Sequence, residues 1–392
     1  MNFRKISRRT YQELTASPFM PAVLVFLTML VLIGSAWRTA QQDVVVTRNN
    51  LVAERAVLSE NNVLQQVYSY ENALLASRGF ILSSDEVSGT EWRSFVSALR
   101  LPERRRGMLG IGYTDFVKAQ DLDEYEASIR QEGFADFSVW PREPARERYS
   151  SIRYIEPFDN TNRPALGFDM YSETARRTAM DRAIDSGQPE MTSRILLVQG
   201  GDNRIPGLNL YQALYRKGAP TDTVEQRREA VIGFVYAPFI SKQLFDSVFS
   251  EKENEYNVRV YDGRELDERH LLYEQHEGDK TFQRVRTDTL KIAGVEWTFE
   301  FGIKDTLVPK AVRERPRSVL IGGLVLSFVI ATLVYLLLQR RTKSLKEKEE
   351  RRVQRAKDNM LSLASHQLRT PATGVKQYVG MVLEGFTGKI TG

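Results

Sequence analysis

Two stretches of the chain lack any alternation of polar and apolar positions. Pro18 to Trp37 and Ser318 to Leu338 are uncharged throughout. Each has about the 20 residues that a helix needs to cross a bilayer core. A buried core helix of that length would keep a polar face, and neither stretch has one. Residues 18–37 and 318–338 are therefore expected as transmembrane helices. The first reads as an uncleaved anchor, because its apolar run is long for a signal peptide and no clean small-x-small cleavage site follows it. After residue 38 the pattern becomes helical. Ala56, Val63, Val67, Tyr70 and Leu74 recur at spacings of seven, four, three and four, and Gly and Pro are absent from Arg38 to Arg78. This predicts a stalk helix over 38–79 with one apolar seam. The seam serves either a dimer with a second copy or packing on the helix's own domain.

Beyond Gly79 strand-like stretches appear at Gly107 to Phe116, Ser193 to Val198, Ala230 to Ala237, Val258 to Tyr261 and Val295 to Phe301. Helical stretches lie between them. Ser172 to Ser186 is the clearest, with Ser172 as N-cap, Glu173 at the positive helix end and Gly187 as C-cap. The mixture predicts an α+β sensor over 80–305, with a distal subdomain to about 245 and a proximal one over about 255–305.

Composition bounds the chemistry. The 392 residues contain no cysteine and three histidines, so disulfides, thiolate metal sites and cysteine nucleophiles are excluded. A mean hydropathy of −0.37 excludes a polytopic transporter. The net charge of +5 and pI near 9.2 first point to nucleic acid or an anionic membrane. Dividing the charge removes nucleic acid as a partner. The tail 1–17, with Arg4, Lys5, Arg8 and Arg9, and the segment 339–392 are basic, whereas the outer segment is net acidic. Basic flanks mark the cytoplasmic sides of both spans. Residues 38–317 are thus expected outside the cytoplasm of a two-pass plasma (inner) membrane protein, with both termini inside. Arg104-Arg105-Arg106 reads as a solvated loop or an anion or lipid-headgroup site. His270 and His276 stand near Glu268, Glu274 and Glu277, but a spacing of six matches no standard metal site, and none is expected.

The order of Ile111-Gly112-Tyr113, Glu126, Arg130, Gly133-Phe134, Tyr154-Ile155-Glu156-Pro157, Asn160, Leu166-Gly167-Phe168-Asp169-Met170, Thr192-Ser193 and Leu210 to Gly218 resembles the CHASE domain, an extracellular sensor of receptors. Val260-Tyr261-Asp262 and Ile292 to Trp297 resemble its membrane-proximal part. The resemblance implies two PAS-like subdomains on a long stalk helix, with a small ligand in the distal one. It puts Asp169, Met170 and Thr192 in the pocket. A buried carboxylate can hold the donor edge of a heterocycle or amide. The alternatives are a backbone acceptor for Asp169 and an ordinary strand residue for Thr192. Ala213 stands where the family usually has Pro.

Residues 339–359 are highly charged, and Val353, Ala356, Met360 and Leu363 step by three, four and three, as in a signalling coiled coil. With Val353 at position a, His366 falls at g, beside the seam. A neutral imidazole there is a competent nucleophile for a γ-phosphorus. Met360 to Pro371, containing Ser365-His366-Gln367-Leu368-Arg369-Thr370-Pro371, resembles the H-box of the dimerisation and phosphotransfer domain of sensor histidine kinases, here over 360–392. The resemblance implies His366 as phosphoacceptor, Thr370 orienting water for dephosphorylation, a homodimer, a response regulator partner, and ATP with Mg²⁺ in a separate catalytic domain. Gln367 stands where the family usually has an acid; an amide hydrogen-bonds but takes no proton. Pro371 is expected to loosen the helix. The second helix of that domain and the ATP domain are not in the sequence, so a fragment, inactive by itself, is expected. The alternative function is a non-enzymatic ligand-binding receptor signalling through its coiled coil.

Overall fold

The computed structural model describes residues 19–100, 107–200, 205–249, 256–276, 284–303 and 308–384. The N-terminal tail, Arg104 to Arg106, Glu277 and residues 385–392 lie outside them. The chain divides into two compact units, Met1–Asp43 with Ala311–Gly392, and Val44–Lys310.

In the first unit both apolar stretches are helical. They belong to helix α1 (Phe19–Ser83), 65 residues long, and to the last helix of the chain, Lys310–Leu383, 74 residues long. Most of their apolar side chains are exposed, including Leu24, Val31, Val325 and Phe328. Exposed apolar surface of this kind is a lipid-facing surface. The two helices approach closely at Gly323, where an added Cβ would lie 2.8 Å from the Ile33 side chain. Arg315 pairs with Asp43 at 3.3 Å.

The second unit is a mixed helix and sheet domain. Its expected helical seam is real and is spent internally. Ala56, Val63, Val67, Tyr70 and Leu74 of α1 are all at most 1% exposed. They share one core with Trp92, Leu210, Phe239, Val258, Trp297, Phe299 and Phe301. Of the two readings of the seam, packing on the helix's own domain is the one seen. α1 also runs past Gly79 to Ser83. The outward stripe of Leu58, Asn61, Gln65, Tyr68, Asn72 and Leu75, stepping three or four residues, stays exposed.

Helix α2 (Gly89–Ala98) opens on a capping box in which Ser88 and Glu91 satisfy each other's backbone donors. Then come β1 (Ile111–Lys118), α3 (Leu122–Gln131), β2 (Arg148–Glu156), α4 (Thr174–Ser186), β3 (Glu190–Met191), β4 (Ile195–Leu197) and β5 (Ile205–Tyr215). They are followed by α5 (Val224–Ala230), β6 (Val231–Ile240) and α6 (Ser241–Asp246). The strands form an antiparallel sheet in the order β2-β1-β6-β5-β3, with β4 also on β5. One face of the sheet joins the α1 core. The other packs on α4 through Met180, Ala183, Tyr211, Phe234 and Tyr236. The strand β2 was hard to read from sequence because Ser150 and Ser151 occupy buried positions, which breaks the apolar alternation. Ser172 does not cap α4. A 3₁₀ turn over Met170–Ser172 intervenes, Glu173 is the N-cap residue, and Gly187 closes the helix at φ +70° as expected.

The second sheet, in the order β8-β7-β10-β9, comprises β7 (Tyr256–Asp262), β8 (Leu271–Glu274), β9 (Arg284–Ile292) and β10 (Val295–Ile303). The β9–β10 hairpin turns on Ala293 (φ +43°) and Gly294 (φ +79°), a two-residue turn whose left-handed pair suits strand twist. Its tip docks on the first sheet: Met191 N–H donates to Ala293 O at 2.8 Å, and a Cβ on Gly294 would collide with Glu190. The last helix is α7 (Lys310–Leu383).

Candidate functional site

Asp169 lies beside the outer edge of β2, where Ile152 N–H donates to Phe168 O and Gly167 N–H donates to Ile152 O. The chain turns there into the 3₁₀ turn, and the carboxylate goes inward. Asp169 is fully buried. Its Oδ1 accepts from the N–H groups of Ser150 (2.7 Å) and Tyr171 (3.0 Å). Arg146 Nε lies 2.8 Å from Oδ2. Burial pushes the carboxyl above the usual carboxylate range, while the Ser150 N–H and Arg146 pull it back. Arg146 also lines a surface cleft of about 710 Å³, with Tyr171, Arg177, Asp181 and Arg228. The guanidinium therefore stands between the buried carboxylate and the cleft.

Met170 and Thr192 are buried on the α4 side of the sheet and meet through residues the sequence reading did not single out. Thr192 exchanges hydrogen bonds with Asn209 of β5: its N–H donates to Asn209 O (2.8 Å), and its Oγ1 accepts from Asn209 N–H (3.0 Å). Met170 Sδ lies 3.2 Å from the Tyr211 hydroxyl and 3.5 Å from Arg176. Arg176 is 1% exposed. Its Nε donates to Glu173 and another nitrogen to Leu196 O. A guanidinium has only donors, so the Asn209 amide turns its oxygen to Arg176, where it also accepts from Tyr211. The Arg176 guanidinium sits over the Phe168 ring, 5.4 Å from its centroid. Nearby, the Tyr236 hydroxyl is buried without a hydrogen-bond partner. The structure thus sets Met170 against a buried cation, while Thr192 is held to the backbone of the neighbouring Asn209. Asp169 is held separately, at the edge of β2. One signal in the sequence pointed to Arg176: it shares the helical face of Ala179, Met180 and Ala183, and an arginine on a core face must be paired.

His366, Gln367 and Thr370 all lie on α7 and are exposed. The Thr370 hydroxyl donates to His366 O at 3.1 Å. The helix continues through Pro371 to Leu383. Downstream of Met360 the exposed apolar residues Leu361, Leu368, Val375 and Val382 fall on a seven-residue repeat. In that frame His366 points away from the stripe and stays open to solvent. His270 Nδ1 lies 2.7 Å from Asp267 Oδ1, with Glu265 at 3.7 Å, and Arg269 shares Asp267 at 2.8 Å.

With these sites in place, comparisons with known proteins bear on what they serve. Residues 85–273 match the CHASE domain family. The chain is 22% identical over 228 residues to Hybrid signal transduction histidine kinase A of Dictyostelium discoideum, covering 54% of this chain and 10% of that protein. It is 23% identical over 308 residues to Histidine kinase 3 of Arabidopsis thaliana, covering 70% and 28%. The chain thus spans less than a third of the length of these relatives.

Proposed function

We propose that this chain, which carries a CHASE domain over residues 85–273 and is similar to histidine kinases, is the sensing half of a membrane receptor histidine kinase. The observation that carries the reading is one of continuity. The domain lies between two helices with membrane-length apolar stretches, and the second runs unbroken into the His366 segment. Basic flanks put both termini in the cytoplasm and residues 38–317 outside. The two sheets are tandem PAS-like subdomains, and a small ligand binds in the first, using Asp169, Met170 and Thr192. Two copies pair through the cytoplasmic coiled coil. Ligand binding shifts α1 and α7 slightly and changes the access of a kinase catalytic domain to His366.

In the reaction, a neutral imidazole nitrogen of His366 attacks the γ-phosphorus of ATP. The bond to the bridging oxygen breaks and ADP leaves with the electron pair; Mg²⁺ held by the separate catalytic domain would offset the phosphate charge. The imidazole proton goes to a base other than Gln367, whose amide orients the ring but accepts no proton. The phosphoryl group then passes to an aspartate of a response regulator, and Thr370, one turn on, positions water for hydrolysis of that phosphoaspartate to free phosphate. The test uses the complete protein, the His366→Gln variant and labelled ATP. Label should be lost from the variant; labelling at the wild-type level would sink the reading and favour a receptor without kinase activity.

A further inference from the structure

At one end of the apolar helix pair two cations stand without an anion. The first uncharged stretch ends at Trp37 and is followed by Arg38; the second begins at Ser318 and is preceded by Arg317. Both arginines belong to the unit formed by Met1–Asp43 with Ala311–Gly392. The approach of Gly323 to Ile33 and the pairing of Arg315 with Asp43 make the two helices antiparallel. Arg38 and Arg317 therefore share one end of the pair, where the chain passes into the mixed helix and sheet domain.

Both side chains are exposed, and neither forms a hydrogen bond or ion pair with a described residue. The acid nearest Arg38 along α1, Asp43, is held by Arg315 at 3.3 Å. Arg313 and Glu314, about a turn further from the apolar stretch, have interactions of their own. Trp37 is 38% exposed. An indole joins an apolar ring to one N–H donor and so collects at the headgroup level of a bilayer. With a rise of about 1.5 Å per residue, Arg38 stands at that level, and Arg317 holds the equivalent place on α7. Orientation accounts for basic residues on the cytoplasmic flank, here Arg340 and Arg341. It does not account for cations at the opposite end.

We infer that Arg38 and Arg317 form a docking surface for anionic phospholipid, in the leaflet next to the mixed helix and sheet domain. The recognising chemistry is a guanidinium fork on a phosphodiester. In phosphatidylcholine the choline cation offsets that phosphate. In phosphatidylglycerol nothing does, so a guanidinium without a protein partner favours the second. The acyl chains lie along exposed apolar side chains such as Leu32 and Ile321. The inference rests on the reading of both apolar stretches as bilayer spans, and its test separates the two.

The full chain is reconstituted in mixed bilayers of phosphatidylcholine and phosphatidylglycerol, with one lipid or the other brominated on its acyl chains to quench nearby indoles. The other tryptophans, Trp92, Trp140 and Trp297, belong to the mixed helix and sheet domain, so quenching reports Trp37, and Trp37→Phe supplies the baseline. Fluorescence should show phosphatidylglycerol preferred at Trp37 by about fivefold, as expected for one arginine near an anionic surface. Arg38→Gln combined with Arg317→Gln should bring the two lipids to parity, whereas Arg38→Lys, which keeps the charge, should retain most of the preference. Arg340→Gln combined with Arg341→Gln should leave it at the wild-type level. Raising salt from about 0.1 M to about 1 M should weaken it in the wild type, a readout that needs no variant to fold. Equal quenching by both lipids, a preference that survives the Arg38 and Arg317 double variant, or one indifferent to salt would overturn the lipid surface. Quenching by neither lipid would instead sink the reading of the first apolar stretch as a span.

Discussion

Glu60 shows how a single side chain can tune the unit Val44–Lys310. It sits half-buried on α1, and burial, followed by the facing Asp288 carboxyl, raises its pKa from 4.5 to about 7, with Arg286 opposing. A raised acid is protonated in the folded chain at pH values where the unfolded chain has already ionised. The cost of ionising it is therefore absent below about pH 4.5 and grows as pH rises to about 7. That unit should lose stability over this window, by about 1 kcal/mol once solvent screening of a half-exposed group is allowed for. Thermal unfolding at pH 5 and pH 8 should show a smaller difference for Glu60→Gln than for the wild type. An equal difference would assign the slope to other groups. Asp169 is the contrasting case at this scale. Its identity was visible in the Phe168-Asp169-Met170 string, but its partners, Ser150 and Arg146, come from β2 and the loop before it. No local pattern announces such a pairing.

At the scale of elements, α1 is the best-read part of the chain, because its periodicity is local. The positions named from spacing are the positions found buried. What spacing left open was the partner, and the fold answers with the faces of both sheets. Leu74→Ala should cost about 2–5 kcal/mol in chemical denaturation of the mixed helix and sheet domain, whereas Leu58→Ala, on the outward stripe, should stay within about 0.5 kcal/mol. If Leu58→Ala proves as costly as Leu74→Ala and the loss depends on protein concentration, the outward stripe is a contact between copies. The strands were read less fully. β5 and β6 are central and almost wholly buried, which leaves no alternation, and of these only β6 was recognised. β9 is an edge strand rich in Arg, Thr, Asp and Lys, and resembles a polar loop in sequence.

At the scale of the whole molecule, the absence of cysteine makes the proposed topology directly testable. Single substitutions Glu86→Cys in the outer domain and Ser344→Cys beyond the second span, both at exposed positions, introduce unique labels. A membrane-impermeant maleimide should modify Glu86→Cys in intact cells and reach Ser344→Cys only after permeabilisation. The opposite pattern would invert the protein. The sequence alone determined the two apolar helices, the stalk seam, the division of charge and the His366 string. Each is a property of neighbouring residues and of helix or bilayer periods, and needs no knowledge of distant contacts. Only the tertiary structure decided that the seam is buried internally, that Met170 packs on the buried Arg176, and that Asp169 meets Ser150 and Arg146. Those arrangements join residues several to many positions apart through strand register and helix packing, and the cost of burying polar groups gives them meaning only once the chain has closed around them.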